Sequence, residues 1–333
     1  PRALPVTTNL ALRGVDGGWG HTCALTTDGK AYCWGMNTTG QLGNGEQGYP
    51  SELYPVPVAT DVRFTDIGVG HAHTCALTGA GDAYCWGYNG EGAVGVGSLE
   101  QVVTLPTKVA TTTSLTTIAV GVKQTCALDE DGRAWCWGAA GVGQLGTTTD
   151  QTCALGRSCS RTPVLVDGDH RFDAIDTGTD FTCGVERSGR ILCWGRGEDG
   201  ELGAPPTGEC ELEPGLRIPC SPVPTAITSS RSWTRVGTGA GRACAIASDG
   251  TTWCWGRAEL GDGSGEDSTE PVQVATSVRF TALAPGEDHV CAVGDDGRIW
   301  CWGDNYYGQL GTGLMSPGSA VPALVMMPEG GTE

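Results

Sequence analysis

A pair of cysteines ten residues apart, with a Trp-Gly dipeptide after the second, recurs six times along this chain. No other feature constrains the fold as strongly. The six pairs are Cys23 and Cys33, Cys75 and Cys85, Cys126 and Cys136, Cys183 and Cys193, Cys244 and Cys254, and Cys291 and Cys301. Successive first cysteines lie 47 to 61 residues apart. Periods of this length indicate stacked structural repeats, such as a solenoid, a propeller or an array.

Each repeat has the sequence character of short antiparallel strands. An Asp-Gly or Ser-Gly dipeptide, such as Asp28-Gly29, separates two short runs and is typical of a hairpin turn. Aromatic residues recur two positions apart, as at Tyr32 and Trp34, so both rings share one face of a strand and the cysteine between them lies on the other. Both faces of each sheet therefore carry packing groups, as a blade between two neighbours requires. With 54 glycines and four strands to a repeat, the pattern predicts an all-β propeller.

The order of residues within the repeat resembles a known family. Gly-x-x-His-Thr-Cys-Ala-Leu is followed by Asp-Gly, Cys-Trp-Gly, Gly-Gln-Leu-Gly and Pro-x-x-Val, most completely over residues 18–58 and 121–166. This order resembles the regulator of chromosome condensation repeat, in particular a bacterial, secreted, cysteine-rich branch, and the resemblance covers residues 10–326. The resemblance implies a β-propeller, commonly of seven blades. The six motifs here predict six four-stranded blades, with seven as the alternative.

The repeats are expected to form a single domain over residues 1–333, because each blade buries its faces only against its neighbours. The expected repeat cores are 12–58, 64–109, 115–166, 172–225, 231–274 and 278–325. Residues 1–12 and 316–327 are expected to meet where the ring closes, with 321–325 as the closing strand. No run approaches the roughly 18 apolar residues of a membrane helix, so no membrane insertion is expected. The opening residues Pro1–Pro5 suggest a mature or trimmed form.

The 16 cysteines indicate an oxidising compartment. In the hairpin of the first repeat, residues whose numbers sum to 56 lie opposite each other, so Cys23 faces Cys33. The same register applies to every repeat and predicts one hairpin disulfide per blade. Free buried thiols and zinc are the alternatives, although zinc favours closely spaced Cys-x-x-Cys pairs, which this chain lacks.

Two long loops carry the remaining cysteines. They are residues 147–162, with Cys153 and Cys159, and residues 204–221, with Cys210 and Cys220. Each pair is expected to bridge itself, and a cross-pairing between the two loops is the alternative. Because a propeller presents variable loops on a rigid frame, these loops are the first candidates for a partner-binding face. Loops that follow Trp-Gly come next. The candidate contact residues are Tyr88, Asn89, Arg157, Glu209, Glu211, Arg217, Tyr306 and Tyr307.

Composition and the remaining motifs narrow the function. A formal net charge of −18 argues against nucleic-acid binding, because phosphate contacts need a basic face. No nucleophile with a base and an orienting group is recognisable, so we predict no enzyme activity and no cofactor, with an acidic-pocket enzyme as an alternative. Asp262, Glu266 and Asp267 are calcium candidates in a glycine-rich loop. His71 and His73 have the spacing of two metal ligands on a strand, whereas the repetition of a histidine at the slot of His73 indicates a structural role.

These features favour a secreted or surface-exposed scaffold that binds an extracellular protein partner through variable, disulfide-stiffened loops. The alternative is self-association, as a structural subunit of an extracellular fibre, appendage or surface assembly. The expected location is extracellular or at the cell surface. The nuclear exchange-factor role that names the family is not expected, because paired cysteines and a pI near 4.6 do not suit a reducing compartment and a nucleosomal partner.

Overall fold

The computed structural model describes residues 6, 8–213 and 215–326, which form six antiparallel sheets and one short 3₁₀ helix, Ala154–Gly156. The first three blades contain β1 Leu12–Gly17, β2 His21–Thr26, β3 Ala31–Asn37 and β4 Gly48–Pro57; β5 Phe64–Val69, β6 His73–Thr78, β7 Ala83–Tyr88 and β8 Val102–Lys108; and β9 Leu115–Val120, β10 Gln124–Asp129, β11 Ala134–Ala139 and β12 Cys159–Leu165. The fourth blade contains β13 Phe172–Thr177, β14 Phe181–Glu186, β15 Ile191–Arg196, β16 Gly208–Glu213 and β17 Leu216–Ala226. The last two contain β18 Trp233–Thr238, β19 Arg242–Ala247, β20 Thr252–Gly256 and β21 Ser268–Gln273; and β22 Phe280–Pro285, β23 His289–Gly294, β24 Ile299–Asp304 and β25 Gly318–Leu324.

The predicted six-blade, all-β architecture is confirmed. Strands follow one another from the inside of each blade to the outside. Over the described residues, only the fourth blade adds a fifth strand, β16, at its outer edge. Within the described residues, no helix is long and apolar enough to cross a membrane. The expected trimmed start at residues 1–5 lies outside the described residues, as do the parts of the expected single domain and of the expected meeting of the chain ends that fall on residues 1–5, 7 and 327–333.

Hairpin register brings the cysteines together as the sequence predicts. Cys23 lies opposite Cys33 in the ladder between β2 and β3, and the same register recurs in the other five blades. All eight predicted disulfides form. The six hairpin bridges join Cys23 to Cys33, Cys75 to Cys85, Cys126 to Cys136, Cys183 to Cys193, Cys244 to Cys254, and Cys291 to Cys301.

The two bridges of the long loops also form as predicted. They join Cys153 to Cys159 in the third blade and Cys210 to Cys220 in the fourth. Each loop therefore closes on itself, and every cysteine of the chain is paired. The cross-paired, free-thiol and zinc alternatives are wrong.

Each blade has a cysteine face and a tryptophan face, and neighbouring blades join unlike faces. Cys23 and Leu25 of the first blade pack against Trp86 and Ala76 of the second. The next four junctions repeat this arrangement, each around a tryptophan with no solvent exposure. Full burial of a side chain this large is among the strongest contributions to a core, so these junctions hold the blades in sequence.

A hydrogen bond to the preceding blade holds most of these tryptophan side chains in place. The Trp86 indole donates from Nε1 to the carbonyl oxygen of Gln41, 2.9 Å away in a tight turn of the preceding blade. Trp137, Trp194 and Trp255 donate in the same way. Gly43 ends that turn with a φ of +67°, and a β-carbon there would lie 2.7 Å from the Trp86 nitrogen, so only glycine fits.

The junction between the sixth and first blades is different. Trp34 holds the repeat slot of Trp86, yet it is only half-buried and its Nε1 finds no hydrogen-bond acceptor among the described residues. Val15 is 65% exposed, whereas Ile67 in the same slot of the second blade is 9% exposed. The described residues thus form an arc of six blades with a cleft between its two ends.

The expected closing strand belongs to one blade only. Residues 321–324 form most of β25, which completes the sixth blade by pairing with β24. Over the described parts of the two chain ends, no strand of one end pairs with a strand of the other. A terminal strand closes a ring when one blade takes strands from both ends of the chain, and here each described blade is built from consecutive residues.

Candidate functional site

The variable loops all emerge on one side of the arc. Strands alternate in direction within each blade, so the connections after the first and third strands lie on the same side, which we call the loop face. The turns after the second strands, and the links between blades, lie on the opposite face. The predicted contact residues on the loop face are Tyr88, Asn89, Arg157, Glu209, Glu211, Arg217, Tyr306 and Tyr307.

The fourth blade carries the most prominent loop-face element. β16 and β17 form a hairpin beyond the blade, in which Glu211 pairs with Arg217, and the disulfide between Cys210 and Cys220 ties its two strands together. The hairpin side chains are largely solvent-exposed, including Leu212 at 41% and Leu216 at 49%. A covalently stiffened hairpin with exposed apolar and charged side chains loses little entropy on binding, which suits it to recognition.

Neighbouring loops contact this hairpin. The Arg157 guanidinium, in the disulfide loop of the third blade, lies 3.9 Å from the Glu213 carboxylate of the hairpin. The same loop also contacts the second blade, because Ala154 N donates a hydrogen bond to the carbonyl oxygen of Gly90 at 3.1 Å. Burial and the nearby Glu91 carboxylate raise the pKa of Tyr88, and Arg157 is close enough to oppose them. The second, third and fourth blades therefore share one surface.

We call this surface the hairpin patch. It comprises Tyr88, Arg157, Glu209, Glu211, Leu212, Glu213, Leu216 and Arg217. It unites five of the eight residues proposed from the sequence and adds three from the hairpin. Leu212, Glu213 and Leu216 escaped the sequence reasoning because β16, the first strand of the hairpin, is an insertion with no counterpart in the other described blades.

Asn89 was expected to contact a partner, but its side chain is buried. It is 4% exposed, its Oδ1 accepts a hydrogen bond from Val94 N, and its Nδ2 donates to the carbonyl oxygen of Glu100. Asn37 and Asn305 occupy the same repeat slot and make equivalent bonds to their own loops. The repetition of this residue was the available signal for a structural role, and its amide is already used in holding the loop.

Tyr306 and Tyr307 form a second exposed region, on the sixth blade and apart from the hairpin patch. They are 67% and 87% exposed, and Leu314 and Met315 in the same loop are 70% and 69% exposed. Trp19, at the loop face of the first blade, is 60% exposed. Apolar exposure of this extent is therefore concentrated on the two blades that border the cleft.

The repeated histidine slot is structural, as expected. His21 Nε2 lies 2.8 Å from the hydroxyl of Thr74 in the next blade, and His73 Nε2 lies 2.9 Å from that of Thr125. Burial lowers the pKa of His21 to about 4 and that of His73 to about 3, so both rings are neutral near pH 7. In the fifth blade the slot holds Arg242, whose pKa is also lowered by burial.

The expected metal candidates do not converge. His71 lies in a loop and stacks on Trp19 with ring centroids 4.8 Å apart, while His73 points into the blade junction. In the glycine-rich loop, Asp262 accepts hydrogen bonds from Ser264. Asp267 instead accepts one from Ala258 N, near the start of the same connection between β20 and β21. Among the residues that the structure describes, no group of three or more His, Cys, Asp or Glu side chains is placed to hold a metal ion.

A depression of about 850 Å³ lies on the opposite face, at the boundary of the fourth and fifth blades. Arg231 stacks its guanidinium over the Trp253 ring at 3.8 Å and lies 3.6 Å from the Asp249 carboxylate. The arginine therefore covers the indole that a flat ligand would use. This depression is separate from the predicted contact residues.

One carboxylate lies buried beneath the loop face. Glu201 has no solvent exposure and occupies the slot that holds glutamine in three other blades, as at Gln144. Its Oε2 accepts a hydrogen bond from Asp199 N at 2.8 Å, while its Oε1 has no hydrogen-bond partner among the described residues and lies 3.9 Å from Arg196. Burial raises the pKa of Glu201 to about 7.

We therefore predict that Glu201→Gln stabilises the protein above neutral pH. A raised carboxyl pKa means that its stability contribution is complete below the unfolded value of 4.5 and is lost as the pH rises through 7. An amide keeps the acceptor for Asp199 N and removes the buried charge. At pH 8 the variant should gain about 1–3 kcal/mol, and at pH 4.5 it should match the parent.

Urea unfolding between pH 4.5 and 8 measures this difference. The matched control is Glu130→Gln, which neutralises an exposed carboxylate on the opposite face and should leave the pH dependence unchanged. A Glu201→Gln variant less stable than the parent at pH 8 would show that the ionised carboxylate is favourably held, contrary to this account.

Comparison with known proteins identifies the repeat. Two models of the regulator of chromosome condensation (RCC1) repeat match the chain. The first matches residues 28–77, 80–128, 131–185, 188–246 and 296–332, and the second matches 13–41, 64–93, 116–144, 172–201 and 280–309. Together these matches reach all six blades.

Individual relatives point to the same repeat family. The RCC1 domain-containing protein RUG3, mitochondrial, of Arabidopsis thaliana is 30% identical over 82% of this chain, and the mouse regulator of chromosome condensation is 28% identical over 77%. The chain spans 61% and 62% of the lengths of these two relatives. Among solved structures, human WBSCR16 superposes with a TM-score of 0.84 at 20% identity, over 97% of this chain and 83% of that one. Yeast RCC1 (Prp20), in a structure with bound Kap60, superposes with a TM-score of 0.78 at 20% identity, over 95% of this chain and 75% of that one. The chain belongs to the regulator of chromosome condensation (RCC1) repeat family.

Proposed function

We propose that this protein is a binding scaffold whose protein partner docks on the hairpin patch. The observation that carries the proposal is the contact between two disulfide-bridged loops of neighbouring blades, where Arg157 meets Glu213. Both loops are insertions beyond the common repeat, and both are covalently closed. Preorganised loops on a rigid frame lower the entropy cost of association, and exposed tyrosine, arginine and leucine supply contact area.

The partner surface is predominantly basic in this proposal. Glu209, Glu211 and Glu213 alternate along β16, and the whole chain carries a net charge of −18. Long-range attraction to a basic partner raises the rate of encounter, while Arg217 and Arg157 set the orientation locally. The solved yeast relative is described as bound to Kap60, and a second structure of that protein is described with binding properties to Gsp1p and histones. Those descriptions support protein recognition as the mode and leave the partner of this chain open.

We further propose an extracellular or cell-surface location and no catalytic role. Eight disulfides support a non-reducing compartment, because such bonds are rare in cytosolic proteins. One curated relative is named as mitochondrial, so the family itself does not dictate a compartment. Fluorescent labelling of the protein on intact cells of its source organism, with and without permeabilisation, tests the location.

A double substitution tests the patch itself. Leu216→Ser combined with Arg217→Glu removes an exposed apolar side chain and reverses a charge on the hairpin. The matched control is Leu165→Ser combined with Arg187→Glu, which makes the same changes at exposed positions on the opposite face. Each purified, oxidised protein is used for capture from the extracellular and envelope fractions of the source organism, with quantitative mass spectrometry.

We expect capture of the main partner to fall at least tenfold with the hairpin variant, which corresponds to about 1.4 kcal/mol. The control variant should capture as much as the parent protein. Equal capture by the parent and the hairpin variant would sink the assignment of the patch, and loss with the control alone would move the binding face to the opposite side.

A further inference from the structure

The turn after the second strand of a blade, on the opposite face, has the same backbone in the fourth and fifth blades. In the fourth blade Gly189 N donates a hydrogen bond to the carbonyl oxygen of Glu186, 2.7 Å away. In the fifth blade Gly250 N donates in the same way to the carbonyl oxygen of Ala247, at 2.9 Å. Ala247 therefore occupies the slot of Glu186, and the two blades differ there in side chain only.

This slot surrounds a carboxylate with donors in two blades. The Glu186 side chain is 9% exposed, accepts a hydrogen bond from Arg190 Nε at 2.9 Å, and lies 2.8 Å from His170 Nδ1 in the linker before the blade. Asp129 holds the slot in the third blade and accepts a hydrogen bond from Trp135 Nε1 at 3.0 Å. A buried carboxylate needs such donors, and the frame of the blade supplies them at this place.

The fifth blade keeps the linker cation but has no carboxylate in the slot. Arg231, two residues before the start of the inner strand at Trp233, corresponds to His170, two residues before Phe172. Ala247 offers only a methyl group where Glu186 offers a carboxylate. The other four blades have an uncharged residue at the linker slot: Leu10, Val62, Thr113 and Val278.

The depression of about 850 Å³ on the opposite face lies at this slot, because Ala247, Arg231 and Trp253 line it. Its volume is in the range of small-molecule sites. Hydroxyl groups form much of the remaining wall, from Thr228, Ser229, Ser230, Ser232 and Ser248. Because a hydroxyl group both donates and accepts hydrogen bonds, this wall suits a ligand that carries hydroxyl groups itself.

Arg231 is held in position with donors to spare. Its guanidinium stacks 3.8 Å over the Trp253 ring, and its Nη1 lies 3.6 Å from the Asp249 carboxylate, which is longer than a hydrogen bond. Over the part of the chain that the structure describes, no acceptor bonds to its Nε or Nη2. Arg279 donates to the carbonyl oxygen of Asp249 and brings a second positive charge to this turn. The depression is thus locally basic on an acidic chain.

We propose that this depression binds a small polyhydroxy carboxylate, such as a uronic acid, with the carboxylate in the place that Glu186 fills in the fourth blade. The Nε and Nη2 edge of Arg231 makes paired hydrogen bonds to the ligand carboxylate, and the serine hydroxyls bind the ligand hydroxyls. The Asp249 carboxylate repels the ligand and limits its affinity. The site lies on the opposite face, so it is independent of the hairpin patch.

A substitution at Ala247 tests whether the slot still favours a carboxylate. Ala247→Glu supplies from the chain itself the group that the ligand would supply. Its midpoint of thermal unfolding should exceed that of Ala247→Gln, because only the charged side chain forms an ion pair with Arg231. In chains that also carry Arg231→Gln, the two variants should unfold at the same temperature. A midpoint for Ala247→Glu at or below that of Ala247→Gln would overturn the proposal.

Binding is measured with glucuronate on the purified, oxidised chain by saturation-transfer NMR. We expect Arg231→Gln to weaken binding at least about tenfold, Ala247→Glu to abolish it, and Asp249→Asn to strengthen it. The matched control is Arg187→Gln, which removes another exposed arginine of the same face, also 3.6 Å from a carboxylate, and should leave binding unchanged. Glucose tests the need for the carboxylate, and inorganic phosphate, observed by its own NMR signal, tests for nonspecific anion binding.

Three further results would contradict the proposal. The first is a parent chain that does not bind glucuronate. The second is binding of glucose or phosphate as tight as that of glucuronate, which would indicate a general sugar surface or an adventitious ion only. The third is unchanged glucuronate binding in Arg231→Gln or in a folded Ala247→Glu variant, which would place the ligand elsewhere on the molecule.

Discussion

Replacement of Trp194 by alanine is expected to lower the free energy of unfolding by about 3–5 kcal/mol. The side chain has no solvent exposure, packs against Phe172 with ring centroids 5.8 Å apart, and donates its indole hydrogen to the carbonyl oxygen of Gln144 at 3.1 Å. Alanine leaves a cavity at the junction of the third and fourth blades and removes one of the two hydrogen bonds to the Gln144 carbonyl oxygen, which keeps the bond from the Thr182 hydroxyl. Both losses fall on a contact that holds two blades together.

The matched variant is Trp34→Ala, which makes the same change in the same repeat slot at the cleft. Because Trp34 is half-buried and its indole makes no hydrogen bond to a described residue, we expect a cost of about 1–2 kcal/mol. Urea unfolding followed by tryptophan fluorescence and circular dichroism measures both variants. Equal losses of unfolding free energy in the two variants would mean that Trp34 packs at the cleft as tightly as Trp194 packs between two blades.

Removal of a blade disulfide has the second largest expected effect. The double substitution Cys183→Ala with Cys193→Ala opens an 11-residue loop and removes two sulfur atoms with no solvent exposure. Chain entropy alone predicts a loss of about 3 kcal/mol, and the cavity adds to it. The protein should keep its blade order, because the ladder between β14 and β15 and the faces of the neighbouring blades remain.

The control is Cys153→Ala with Cys159→Ala, which opens the loop disulfide of the third blade. This bridge lies outside the stacked faces, so we expect a smaller loss of unfolding free energy and a larger loss of partner capture. Differential scanning calorimetry and the capture assay separate the two effects. A loop variant that is less stable than the blade variant would place the main stabilisation outside the blade junctions.

The architecture could be predicted from the sequence because the residues of each repeat determine the register of its own hairpin. The ten-residue spacing of Cys23 and Cys33 determines which residues face each other, and alternation then assigns every side chain to one face or the other. Repetition also carried information that was not used. Asn89 recurs as Asn37 and Asn305, which indicates a structural amide and not a contact residue.

Two features were beyond the reach of sequence reasoning. A periodic sequence describes the faces of a blade but not the angle between blades, so it does not say whether six blades close a ring. The expectation that the chain ends meet came from counting repeats, and the exposed Val15 and Ile299 depend on blade geometry. The contact of Arg157 with Glu213 likewise depends on how far two insertions reach across neighbouring blades.

The central functional claim is that a protein partner binds the loop face at the hairpin patch. Site-specific photo-crosslinking tests it most directly, with benzoylphenylalanine in place of Leu212 on the hairpin or in place of Glu130 on the opposite face. Each protein is irradiated in the extracellular or envelope fraction of its source organism, and the crosslinked products are identified by mass spectrometry. The account predicts one dominant heterologous crosslink from position 212 and none from position 130. The same partner crosslinked from position 130 and absent at position 212 would contradict it.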